Sequence, residues 1–166
     1  MMKKILLILF LILAGCGTKK NTEISSNSSN IISPEQGVYS VVIDETELLW
    51  IGKELSTKIH TGTLNLSNGL IQVDNDKTIA GNVTINMSTI NVTDLQGRAK
   101  EMLEGHLRSA DFFEVENFPE ATLSFKSKSF NKLKNQINFE GELIIKDISN
   151  PILFNATLLE SSPYLK

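Results

Sequence analysis

From Gly37 onward apolar residues recur at every second position, and that period constrains the fold of this chain more than any other feature. Tyr39, Val41 and Ile43 alternate with Ser40, Val42 and Asp44, and Val83, Ile85 and Met87 alternate with Asn82, Thr84, Asn86 and Ser88. Ala121, Leu123 and Phe125 repeat the pattern, as do Ile137, Phe139, Gly141, Leu143 and Ile145, then Ile152, Phe154, Ala156 and Leu158. A period of two sends one set of side chains to a buried face and the other to water. Turn-forming clusters at Ser67-Asn68-Gly69, Asp74-Asn75-Asp76, positions 131–135 and Ser149-Asn150-Pro151 punctuate the runs. About eight short strands at sandwich or barrel spacing follow, and the predicted class is all-β and antiparallel.

One segment breaks the rhythm. Thr93-Asp94-Leu95-Gln96 has the form of a capping box, with Thr93 as cap and Gln96 reaching back. Leu95, Ala99, Met102 and Leu103 then share one helical face. Gly97 weakens the helix, and Gly105 is a natural left-handed stop. The spacing predicts a short helix over about 94–104 that closes one end of a barrel.

The N-terminal end has a different character. Lys3 and Lys4 precede an unbroken apolar run from Ile5 to Leu13. As a helix that run covers only about 14 Å at ~1.5 Å per residue, against ~30 Å for a bilayer core. It fits a secretory signal over residues 1–15 rather than a membrane span. Leu13-Ala14-Gly15-Cys16 resembles the lipobox of bacterial lipoproteins, in which the cysteine is acylated after cleavage, making Cys16 the expected lipidation site. Gly17 in place of aspartate resembles the default signal for transfer to the outer membrane. Residues 16–36 are polar and rich in serine and asparagine, a flexible tether with an average reach of roughly 25 Å. The domain then runs over 37–166.

Cys16 is the only cysteine, so a disulfide framework and a cysteine metal site are both excluded. Removing Lys3 and Lys4 leaves 14 basic residues against 19 acidic ones, a mature charge of −5. A chain of that sign with no basic stripe is a poor nucleic-acid binder.

The stretch from Gly105 to Phe113 concentrates His106, Arg108 and Asp111 ahead of Phe112-Phe113. Base, oxyanion stabiliser and orienter are one assignment, that of a hydrolase using His106. No serine or cysteine nucleophile sits in a recognisable elbow, and two histidines without a ligating carboxylate make a weak zinc site. The alternative is structural: His106 binds backbone at the helix end, Arg108 pairs with Asp111 or a strand carboxylate, and the phenylalanines face inward. We expect no catalytic residue, no metal and no cofactor.

Here the chain resembles a known family. Gly37-x-Tyr39, Leu48-x-Trp50-x-Gly52-Lys53, His60-x-Gly62-x-Leu64, Ile85-x-Met87-x-x-Ile90 and Asp94-Leu95 match in order. Gly105-His106-Leu107-Arg108-Ser109-x-Asp111-Phe112-Phe113, Phe118-Pro119 and Gly141-x-Leu143 follow. This is the pattern of the YceI-like family, whose usual turn before the last strand is replaced here by Asp147-Ile148-Ser149-Asn150-Pro151. The resemblance implies a lipocalin-like barrel that binds an isoprenoid or related amphiphilic lipid, such as a quinone or polyprenol, in the cell envelope. Trp50, Ile85, Met87, Phe112, Phe113, Phe125, Phe139 and Phe154 are the expected lining residues, with His106, Arg108 and Asp111 as a structural cluster at the mouth. Alternation alone does not separate a cavity from a packed core, so a ligand-free interaction or structural lipoprotein is the rival. The oligomeric state, a homodimer included, is open at this point.

Overall fold

The computed structural model describes Leu6–Ile8 and residues 34–53, 58–131 and 133–159. Cys16 with its lipobox, the serine- and asparagine-rich part of the tether and the closing Tyr164-Leu165-Lys166 lie outside the described residues. The strands are β1 (Leu6–Ile8), β2 (Gly37–Ser40), β3 (Leu48–Lys53), β4 (Ile59–Val73), β5 (Ile79–Val92), β6 (Glu120–Asn131), β7 (Gln136–Ile145) and β8 (Ile148–Thr157). The helix α1 (Gly97–Arg108) lies between β5 and β6. All pairings are antiparallel, in the order β1-β3-β4-β5-β6-β7-β8, with β2 also beside β4. From β3 to β8 this is the path of an up-and-down barrel.

The long β4 organises the sheet. Its first part carries β3, from Lys53↔Ile59 to Leu48↔Leu64, and its second part carries β2, from Ser40↔Leu70 to Gly37↔Val73. The predicted turn at Ser67-Asn68-Gly69 is instead an irregularity inside β4, with register shifts between Thr63 and Asn65 and between Leu66 and Asn68. Bulges bend a strand and increase its twist, which lets one long ribbon wrap a core. Gly69 is needed where Val41 crosses it, since a Cβ there would come within 2.5 Å of the Val41 side chain. The alternation read through Val41 and Ile43 also stops early: β2 ends at Ser40, and Ile43–Glu45 form a 3-10 turn.

Ser149-Asn150-Pro151 likewise lies within β8 rather than in a turn. Proline lacks an amide hydrogen, but β8 ends the order of strands, and among the described residues one of its edges makes no ladder. The turn falls at Lys146-Asp147, with φ of 52° and 58°, the geometry of a tight two-residue hairpin.

The interior has two clusters. One gathers Leu48 and Trp50 of β3, Leu64 and Leu66 of β4, Ile85, Met87, Ile90 and Val92 of β5, Leu107 of α1 and Ala121 of β6, with Leu143 and Ile145 of β7 against it. The other holds Val73, Ile79, Ile137, Phe139 and Leu158, with Tyr39, Phe125 and Phe154 packed around them. Strands from both ends of the sheet thus share each cluster, so the sheet curls into a barrel-like form. Among the described residues no ladder joins β8 to β2 or β3; the two ends meet through side chains.

The helix is displaced from its predicted place, at Gly97–Arg108 instead of about 94–104. Thr93 and Asp94 do not cap it because β4 claims them. The Thr93 amide donates to the Thr61 carbonyl at 2.9 Å, and the Thr61 amide donates to the Asp94 carboxylate at 2.9 Å. Gly97, at a φ of 55°, turns the chain off the sheet, a conformation glycine adopts freely. Gly105 continues the helix, which stops when the Ser109 amide donates back to the Gly105 and His106 carbonyls at 3.0 and 3.1 Å. The buried face moves accordingly: Leu103 and Leu107 point to the core, whereas Ala99 and Met102 are exposed.

Candidate functional site

The first cluster is not filled. At its centre is a cavity of about 120 Å³, bordered by Trp50, Leu64, Ile85, Met87, Ile90 and Ala121 from the sheet. Leu103, His106 and Leu107 of α1 and Phe112 and Phe113 beyond it form a further wall, and Leu143 and Ile145 of β7 complete it. The helix therefore closes one side of the interior. Lys53 and His106 are exposed and His60 is partly so, which locates the mouth of the cavity between the β3–β4 hairpin and the end of α1. An apolar cavity of about 150 Å³ stays dry and accepts benzene. This one has the capacity for a small apolar group.

Trp50 dominates one wall. Its indole lies across Gly62, its partner in the β3–β4 ladder, so closely that any Cβ at position 62 would overlap the ring. The indole Nε1 is buried and has no acceptor among the described residues. An unsatisfied buried donor costs about 1–3 kcal/mol, so an acceptor beyond the described residues is expected for it.

Of the predicted lining residues, Trp50, Ile85, Met87, Phe112 and Phe113 border the cavity. Phe125, Phe139 and Phe154 do not. They pack on one another in the second cluster, at ring-centroid distances of 5.3 Å, 5.6 Å and 5.1 Å. Period two assigns a residue to the inner face, but not to a level along the barrel; these three lie at the level of the β2 end, away from the mouth. Phe125 also lies across Gly81, and its backbone runs close under Gly141.

The mouth cluster is arranged differently from the prediction. Arg108 pairs with Glu104, not Asp111, at 3.7 Å, and its guanidinium donates to the Ile90 carbonyl. Among the described residues no ion pair involves Asp111, which is exposed. The His106 ring packs edge-on against Phe112 at 5.7 Å while its carbonyl accepts from Ser109. Lys146 fastens the following loop, donating to the Phe112 carbonyl at 3.1 Å and pairing with Glu114 at 3.3 Å.

Sequence reasoning missed His60. It borders the cavity, and its Nδ1 lies 2.8 Å from the Asp94 carboxylate. Desolvation works to raise the Asp94 pKa, but hydrogen bonds from the Thr61 amide and His60 outweigh it and hold the carboxyl below its ordinary value. Asp94-Leu95 and His60-x-Gly62 are both visible motifs, but they are 34 residues apart and nothing local links them. Among the described residues no group of three metal-ligating side chains forms.

A profile of the YceI-like domain matches residues 39–163, nearly the whole described domain. The chain belongs to the YceI-like family. It is 31% identical over 98 residues to Protein YceI of Escherichia coli O157:H7, covering 59% of this chain and 48% of that protein. It is 32% identical over 78 residues to Protein YceI of Salmonella arizonae, covering 47% and 37%. The chain spans about half the length, or less, of the curated relatives it matches. A crystal structure of a mutant CJ YceI protein with a monobromobimane guest aligns over 88% of this chain and 64% of that one, at 18% identity and a TM-score of 0.39.

Proposed function

We propose that this YceI-like protein is an envelope lipoprotein that holds an apolar or amphiphilic lipid of the isoprenoid type inside its barrel. The observation that carries the reading is the apolar cavity behind Trp50, Met87 and Phe112, with Lys53, His60 and His106 as the charged or imidazole side chains on its border. At about 120 Å³ it accepts one branched five-carbon unit or a ring, in keeping with the benzene-sized precedent. A longer chain extends outward through the mouth, or inward if Phe112 and Phe113 swing aside. The protein performs no bond chemistry in this reading: the His106 ring packs on Phe112, and the Ser109 hydroxyl donates to the His106 carbonyl, not to the ring.

Cys16 supplies the anchor. Acylation with two or more chains holds a protein stably to a membrane where one does not, and the tether keeps the barrel within roughly 25 Å of the lipid surface. Cleavage before Cys16 also removes β1 and leaves the outer edge of β3, beside the mouth, without that partner.

Trp50 is the only tryptophan and borders the cavity, so it reports occupancy directly. Titrating delipidated protein with a short prenyl hydrocarbon gives a saturable change in emission at one ligand per chain. A flat response up to the ligand's solubility contradicts the reading and favours a packed structural lipoprotein, the arrangement already present in the Phe125-Phe139-Phe154 half.

A further inference from the structure

We propose that Phe112 and Phe113 form the movable wall of the cavity and that Lys146 latches it, so that Lys146 sets how fast a ligand longer than the cavity enters and leaves. The inference rests on the cavity reading above and adds a route of entry to it. At about 120 Å³ the cavity holds one small apolar group, so a longer chain needs a wall that gives way. The sheet walls do not give. Trp50 is held in the β3–β4 ladder, Ile85 between β4 and β6, and Leu143 between β6 and β8. The helix is tied to β5 as well, since Glu104 accepts from the Val92 amide and Arg108 donates to the Ile90 carbonyl.

Phe112 and Phe113 belong to no ladder; they lie in the segment from Ser109 to Phe118, between α1 and β6. Its backbone bonds return to the end of the helix or stay local. The Phe113 amide donates to the Leu107 carbonyl at 3.1 Å, the Val115 amide to the Arg108 carbonyl at 3.0 Å, and the Phe118 amide to the Glu114 carbonyl at 2.9 Å. Among the described residues, the only hydrogen bonds and ion pair between this segment and the barrel come from Lys146. Its Nζ donates to the Phe112 carbonyl at 3.1 Å and the Ala110 carbonyl at 3.5 Å, and it pairs with Glu114 at 3.3 Å. Ile145, the residue before it, borders the cavity, so the latch lies where the movable wall meets the fixed one.

The backbone on both sides of this contact is strained. Lys146, Asp147 and Glu114 have φ of 52°, 58° and 52°, a region that side chains other than glycine rarely adopt. Such residues persist where their surroundings over-determine them, and they collect at clamps and switch segments. Three of them meet here at one ion pair. Releasing the pair frees Glu114 to leave its left-handed conformation, which offsets part of the lost contact and keeps an open form accessible.

The test compares two probes on the full mature chain freed of lipid, with stopped-flow Trp50 emission as readout. Iodobenzene fits the resident cavity, whereas farnesene needs the wall to move. Lys146→Met keeps the length of the side chain and removes its donors. It speeds both entry and release of farnesene roughly tenfold, the scale of a hydrogen bond to a charged group. The dissociation constant changes little, because the closed wall is relaxed in the free and bound protein alike. Iodobenzene rates stay as in wild type, and Lys146→Arg, which keeps a cation, retains the slow farnesene rates. Glu114→Gln breaks the ion pair from the other side and moves the farnesene rates in the same direction. Hydrogen exchange at the Phe113 and Val115 amides quickens in Lys146→Met without any ligand, and thermal melts confirm that each variant is folded. Unchanged farnesene rates in folded Lys146→Met and Glu114→Gln overturn the assignment, as does an equal speeding of both probes. Wild type that binds iodobenzene but never farnesene overturns the movable wall and leaves the cavity standing. Failure of both probes overturns the cavity reading itself and this inference with it.

Discussion

Trp50 and Gly62 show how much of the site depends on single atoms. The indole occupies the space where any other residue at 62 would place its Cβ, and the Asn91 carbonyl closes the same space from the neighbouring strand. Gly62→Ala must therefore shift the ring or the ladder, at about 1–3 kcal/mol by analogy with other overpacked cores. Urea denaturation followed by Trp50 emission checks this: a lower midpoint with a shifted native spectrum is expected. Asp94 makes a separate prediction. Its carboxyl is held below its ordinary value in the folded state, so its stabilising contribution is present above that ordinary value. The contribution is lost as pH falls through the lowered folded value, below about pH 4. Asp94→Asn should flatten part of the acid limb of stability while leaving the slope above about pH 5 unchanged. Trp50 was legible in the sequence because a large apolar residue on an alternating strand has one destination. The His60–Asp94 contact was not, because the β4–β5 ladder that brings the two together is set by pairing, not by either motif.

At the scale of elements, α1 shows why a local signal mislocates a boundary. Thr93-Asp94-Leu95-Gln96 carries the right residues for a cap, but two of them serve better as a clasp on Thr61 and His60. The helix is instead tied to β5 by Glu104, whose carboxylate accepts from the Val92 amide at 2.8 Å. Glu104 also pairs with Lys100 at 3.6 Å and Arg108 at 3.7 Å. Such pairs with half-exposed cations contribute little, so the amide contact should dominate. Glu104→Gln keeps an acceptor for Val92 and should lose little stability, while Glu104→Ala leaves that amide unpaired and should lose about 1–3 kcal/mol. Chemical denaturation of the two variants side by side separates the terms; equal losses would assign the effect to the charge pairs. The same competition explains the misplaced turns. Ser67-Asn68-Gly69 and Ser149-Asn150-Pro151 have turn chemistry, yet a bulge and an edge strand accept those residues equally well.

Over the whole molecule, the class, the antiparallel path and the inner-face residues were legible, since alternation and strand spacing leave few arrangements. The division of the interior was not. Phe112 and Phe125 read alike in sequence, but one borders a cavity and the other belongs to a stacked aromatic core. That distinction depends on the level at which each strand crosses the barrel, which register and bulges decide. The proposed membrane attachment is tested at the same scale. Cys16→Ser should shift the protein from the membrane to the soluble fraction and abolish palmitate labelling; wild-type protein found soluble and unlabelled would contradict the anchor.

The central claim is that the cavity exists to be occupied, and Ala121 offers the most direct measurement. It is 2% exposed and borders the cavity, so Ala121→Leu places three additional carbons where a ligand would lie. Native mass spectrometry of gently extracted wild type and variant, with circular dichroism to confirm the fold, reads the occupancy of each. The account predicts a prenyl lipid bound one per chain in wild type and absent from a folded Ala121→Leu. An empty wild-type barrel, or lipid retained equally by the filled variant, would contradict it.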